Sequence, residues 1–167
     1  MVKLLLWRHA KAVHQDGLQD MDRFLTARGR EERQVSAKRI EAAHSPDAII
    51  CSVATRTRET LEALTADVNP LFSELLYHCY VEDILDIAQG IDDAYQTLLL
   101  VGHNPGFEDF ILQVQANTQA HRAQLNYKFY PGDLAVIEWS DASWGGIQLK
   151  DAVLAEITSV RKHPSTR

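Results

Sequence analysis

Arg8 and His9 stand side by side directly after the apolar run Leu4-Leu5-Leu6-Trp7. Arg56 follows a second apolar run at Ala48-Ile49-Ile50-Cys51, and His103 follows a third at residues 97–101. Two guanidiniums on rigid strand ends suit a phosphoryl group, because the planar fork of N–H donors matches a tetrahedral oxyanion and stays charged at all relevant pH. An imidazole can attack phosphorus and carry it as phosphohistidine, which splits one difficult displacement into two easier ones. For that, one ring nitrogen must be neutral and free while the other donates to a fixed acceptor such as a backbone carbonyl. His9 is the candidate nucleophile, with Arg8 and Arg56 as candidate phosphate ligands. Taken singly, an arginine is more often a salt-bridged surface residue. Their joint placement with two histidines points to phosphate.

Short apolar runs that stop at polar residues are the pattern of strands buried on both faces of a sheet. Ligands of open α/β sheets bind beyond the carboxyl ends of the strands. The three polar clusters, Arg8-His9, Ser52 to Arg56 and Gly102-His103-Asn104, are therefore expected to converge. Between the runs, Thr26 can cap a helix reaching about Ala43, with Val35, Ile40 and Ala43 inward. A second helix is expected over 54–66, with Leu61 and Leu64 inward, broken by Asn69-Pro70. Further helices are expected over 81–89, stopped by Gly90, and over 107–114. Residues 134–139 and 146–149 flank Ser140-Asp141-Ala142-Ser143 as a hairpin. The expected fold is α/β: a three-layer sandwich with a mainly parallel central sheet flanked by helices and one antiparallel edge strand. Residues 1–160 are expected to form one domain, with 161–167 a frayed polar tail.

The 167-residue chain has 17 Lys+Arg against 23 Asp+Glu, a net charge of −6 with histidine neutral. Composition is that of an ordinary soluble globular protein, and folding at this size buries roughly 68–70% of the chain's surface. An acidic balance disfavours broad attachment to nucleic acid or anionic membrane, since both are bound through excess Lys and Arg. Any bound anion must meet a local basic site, for which Arg8, Lys11, Arg56 and Arg58 are the candidates. Cys51 and Cys79 read as free thiols in a reducing compartment. The first residues are too short an apolar run for a signal peptide or a membrane span, so a cytoplasmic protein is expected.

Other phosphate chemistries lack their signatures. The chain has no Gly-rich Walker loop, no G-x-G-x-x-G after the first strand, and no Arg six positions after either cysteine. His14, His44, His78, His121 and His163 read as ordinary core or surface residues. No histidine pair has zinc spacing with cysteine partners nearby, so neither metal nor other cofactor is expected.

These residues resemble the histidine phosphatase superfamily, the phosphoglycerate mutase-like fold, in the phosphohistidine phosphatase branch typified by SixA. Arg8-His9-Ala10-Lys11-Ala12 is similar to its first motif. Asp22-Arg23-Phe24-Leu25-Thr26-Ala27-Arg28-Gly29 resembles its Asp-Arg-Pro-Leu-Thr-x-x-Gly segment, with Phe24 in place of proline. Ser52-Val53-Ala54-Thr55-Arg56-Thr57-Arg58-Glu59-Thr60 and Gly102-His103-Asn104-Pro105-Gly106 are similar to two further blocks. Tyr130-Pro131-Gly132-Asp133 follows the family's late turn only loosely. The resemblance implies His9 as the phosphorylated residue, Arg8 and Arg56 as phosphate ligands, and His103 as the group stabilising charge on the transferring phosphoryl.

Family members acting on phosphate esters usually supply an acid to the leaving group, and Glu74 is the nominee here. A phosphohistidine needs less help, because imidazole leaves more readily than an alkoxide. The expected activity is thus a metal-independent phosphatase acting on a phosphorylated protein, such as a histidine-phosphotransfer domain, as a monomer. The alternatives are hydrolysis of a small phosphorylated metabolite, or phosphate binding without turnover. A mutase is expected less, since 167 residues leave little chain for an enclosing lid.

Overall fold

The computed structural model describes residues 1–117, 128–140 and 142–161. His121, His163, Asp141 of the expected turn and residues 162–167 of the expected tail lie outside this range. Six strands form one sheet in the order β3-β2-β4-β1-β5-β6. These are β1 (Val2–Arg8), β2 (Ala48–Ser52), β3 (Leu71–Ser73), β4 (Thr97–Gly102), β5 (Leu134–Trp139) and β6 (Val153–Thr158). β1, β2, β3 and β4 are mutually parallel. β5 runs antiparallel to β1, and β6, at the edge, antiparallel to β5.

Side chains that alternate across a strand feed two different cores. Leu4 and Leu6 of β1 join Leu98 and Leu100 of β4 on one face, beneath Ile84 and Ala88 of α3 (Val81–Gln89) and Phe107, Phe110 and Val114 of α4 (Gly106–Asn117). Leu5 and Trp7 join Leu99 and Val101 on the other, beneath Ala37 and Ile40 of α1 (Ala27–Ala43). This is the three-layer α/β sandwich expected from the uninterrupted apolar runs.

Thr26 caps α1 as expected, its hydroxyl accepting from the Gly29 amide at 2.9 Å. The buried stripe of α1, however, is Gly29, Ser36, Ala37 and Ile40, while Val35 and Ala43 are exposed. Val35 is five residues before Ile40, which at about 100° per residue turns it roughly 140° away from the core. Gly29 is where the loop after β1 crosses the helix, and a Cβ there would collide with the Lys11 carbonyl.

The second helix, α2, covers Thr55–Leu61, shorter than 54–66. Beyond it the Ala63 and Leu64 amides bond three residues back, to Thr60 and Leu61. The hairpin is corrected: residues 146–149 form no strand, and the partner of β5 is β6. The indole N–H of buried Trp144 donates to Tyr95 O at 2.7 Å and Ile147 enters the core, so this segment wraps the sheet instead of pairing with it. Among the described residues no helix is long and apolar enough to cross a membrane.

Candidate active site

The parallel strands bring Arg8, Ser52 and Gly102 to the same end of the sheet, and the residues just beyond them meet there. The Arg8 amide donates to Asp133 O at 3.1 Å and the His9 amide to Gly102 O at 3.0 Å. Gly132, at φ 90°, turns its own amide back onto the carbonyls of Arg8 and His9. A positive φ of this kind costs a glycine little. The Arg8-His9 backbone is therefore gripped from both neighbouring elements.

His9 is buried, and its Nδ1 lies 2.7 Å from Ala10 O. A carbonyl only accepts, so Nδ1 carries the proton and Nε2 keeps its lone pair. Ala10 is itself held, since its amide donates to Thr60 Oγ1 at 2.9 Å, and Thr60 donates in turn to Arg56 O at 2.7 Å. One turn of α2 thus fixes both the tautomer-selecting carbonyl and the second arginine. The His103 ring sits 5.2 Å from that of His9 between centroids, and its Nε2 hydrogen-bonds with Ser52 Oγ at 2.8 Å.

The two guanidiniums are oriented differently. Arg8 donates through Nη1 to Phe129 O at 2.6 Å. Arg56, 6% exposed, donates to Asp20 O at 2.7 Å and to Asp20 Oδ2 at 3.0 Å. The same carboxylate accepts from the Tyr77 hydroxyl and, at 3.0 Å, from Arg23. These donors, Tyr77 first, hold the Asp20 carboxyl well below the usual carboxylate range. Tyr77 also sets its ring edge-on to His103 at 5.4 Å. Each guanidinium retains N–H groups beyond those used here.

A pocket of about 350 Å³ opens at this point, lined by Arg8, His9, Lys11, His14, Arg23, Arg56, His103 and Arg161, among others. The structure therefore unites all four expected site residues. Two nominations do not join them: Glu74 is exposed and is not among the pocket-lining residues. Arg58 stacks its guanidinium 4.2 Å from the Phe72 ring centre and lines a separate apolar groove. Sequence reasoning overlooked Asp20 and Tyr77, and it assigned His14 to the background and Arg161 to the tail. Asp20 and Tyr77 act through contacts 36 and 57 residues apart in the chain, a separation no local pattern reports. Among the described residues no group of His, Cys, Asp and Glu is placed to hold a metal ion. Both cysteines are free and buried, and burial pushes the Cys51 thiol up to about 12 and the Cys79 thiol up to about 11.

Burial pushes His9 well below its ordinary value, and nearby His103, Arg56 and Arg8 add to this while the Ala10 carbonyl opposes it. Burial, with Arg56 next, pushes His103 down to about 3. A lowered pKa keeps the unprotonated form of His9, the form a nucleophile needs, present as pH falls. The acid limb of kcat/KM, which reports the free enzyme, is accordingly expected below the ordinary histidine value of about 6.5. A pH-rate profile checks this, and a limb at 6.5 or above would contradict a buried neutral His9.

A mainly parallel sheet topped at its carboxyl end by Arg-His, a second arginine and a second histidine is the arrangement of a phosphate-handling α/β protein. The family model of the histidine phosphatase superfamily (branch 1) matches residues 4–78. An uncharacterized protein of Mycobacterium tuberculosis is 30% identical over 146 residues, covering 83% of this chain and 92% of the relative. The chain belongs to the histidine phosphatase superfamily. Its solved likenesses include SixA of Nakamurella multipartitia, 25% identical with a TM-score of 0.81 over 95% of both chains. SixA of Agrobacterium tumefaciens is 26% identical with a TM-score of 0.78, over 95% of this chain and 97% of that one. Both carry the name SixA, and this chain falls in the SixA-like branch.

Proposed function

We propose that this phosphatase works through a covalent phosphohistidine on His9 and removes phosphate from phosphohistidine on a protein. The observation that carries the covalent route is the bond from His9 Nδ1 to Ala10 O, which leaves Nε2 as a buried lone pair among cations. In the first step Nε2 attacks phosphorus in line, the N–P bond of the substrate breaks, and the leaving imidazole, protonated on its other nitrogen, departs neutral. Arg8, Arg56 and His103 hold the equatorial oxygens, work that is positioning and electrostatic stabilisation. Water then attacks phosphorus, inorganic phosphate leaves with the water oxygen, and neutral His9 returns. The proposed steps use no metal.

The substrate class rests on the carboxylates. An alkoxide leaving group needs a proton from a group that holds one at working pH. Glu74 stands outside the pocket, and Asp20 is held ionised by Tyr77, Arg23 and Arg56. Neither suits that task, whereas a phosphohistidine dispenses with it. Phosphate-ester hydrolysis is the second reading, favoured by the pocket's size, since about 350 Å³ is enough for a small metabolite. The test compares kcat/KM on a phosphohistidine-bearing protein with a panel of sugar and nucleotide monoesters. Faster turnover of the protein is expected, and equal or better turnover of any ester would remove the protein reading.

A further inference from the structure

Five cations line the pocket in a protein of net charge −6, more than one phosphoryl group requires. Three are already engaged: Arg8 on Phe129 O, Arg56 on Asp20, and Arg23 on both Val13 O and Asp20. Lys11 and Arg161 differ. Both are exposed, and among the described residues neither side chain makes a hydrogen bond or ion pair.

Their positions are nevertheless built. Buried Asp133 accepts from Ser159 Oγ and the Val160 amide, both at 3.0 Å, and from the Tyr130 amide at 2.9 Å. That ties the chain beyond β6 to the turn gripping Arg8-His9. It sets the Arg161 guanidinium 4.1 Å from the Tyr130 ring centre, a stacking contact that consumes no N–H donor. The Lys11 carbonyl accepts from the Thr26 amide at 2.9 Å beneath Gly29, which fixes the backbone that carries its ammonium.

We infer that Lys11 and Arg161 form a second anion subsite at the pocket mouth, which takes carboxylate side chains flanking the phosphohistidine on an acidic protein surface. This rests on the phosphohistidine reading above. Lys11 and Arg161 are the exposed cations of this lining and add to the Arg8 and Arg56 that would hold one phosphoryl group, so the partner assigned to them is charge displayed around the phosphorylated residue. On a chain that is acidic overall, they also give an acidic partner one attractive place to land.

The experiment measures binding of two peptides carrying a non-hydrolysable phosphohistidine analogue, one flanked by glutamates and one by glutamines. At low salt the glutamate peptide is expected to bind roughly 3- to 10-fold tighter, the range two exposed charge pairs supply. The preference should shrink to within about 2-fold in Lys11→Gln/Arg161→Gln, and should fall with added salt as exposed charges are screened. Equal affinities in the wild type, or a preference that survives in the variant, would overturn the subsite. A gain for pyrophosphate over inorganic phosphate that disappears in the variant, with no gain for the glutamates, would assign the subsite to a second phosphoryl group and overturn the protein-surface reading. Failure of the phosphohistidine reading is seen separately, as no hydrolysis of either peptide made with authentic phosphohistidine.

Discussion

Replacing His9 with alanine is expected to bring turnover to background and to abolish acid-labile phosphate on the enzyme. Removing the nucleophile of a covalent hydrolase can cost on the order of 10⁶ in kcat, because the remaining groups are arranged around an intermediate that no longer forms. Here Arg8, Arg56 and His103 would still bind phosphate but would have nothing to transfer it to. The chain should remain folded, since His9 lies outside the two large apolar clusters and its backbone is held by Gly102 and Gly132. His9→Asn sharpens the test, because its amide can still donate to Ala10 O while offering no nucleophile. Radiolabelling with a phosphohistidine donor, followed by acid treatment, reads the outcome. Label retained on either variant would mean that another group is phosphorylated.

Arg56→Ala is expected to lower kcat/KM by about 10²–10³, equivalent to about 2.7–4 kcal/mol of lost transition-state stabilisation. The loss has two parts. A buried cation lining the pocket beside His9 disappears, and Asp20 loses the partner that ties its loop to α2. Arg56→Lys should recover little, since a single ammonium cannot serve Asp20 O, Asp20 Oδ2 and a phosphoryl oxygen with the geometry of a planar fork. Steady-state kinetics on a phosphohistidine protein measures both variants. Recovery by lysine to within about 3-fold would show that charge alone is needed.

The strand ends were legible in the sequence because burial on both faces forces a continuous apolar run, and the first polar residue after it marks the end. That placed Arg8, His9 and His103 correctly. Arg56 followed because α2 begins three residues after β2. Arg58 illustrates the limit of the same reasoning: two residues along a helix is a rotation of about 200°, which carries it to the opposite side, over Phe72. β3 was invisible because three residues, two of them exposed, have no measurable period. The 146–149 segment had strand-like composition, yet buried Trp144 and Ile147 gave it a better use as a wrap. The support around Arg56 escaped notice for a different reason. Asp20 lies in a polar loop and Tyr77 in a short apolar stretch with no clear period, and their role exists only once the fold brings them together.

The two buried cysteines carry a consequence for the conditions in which this chemistry operates. Hydrogen peroxide attacks thiolates, and it silences phosphatases that rely on one. Cys51 and Cys79 are the chain's only thiols, and with pKa values near 12 and 11 both remain protonated as well as sheltered. An imidazole nucleophile has no comparable oxidation at mild peroxide levels. Turnover through His9, as proposed, would therefore depend on neither thiol of this chain.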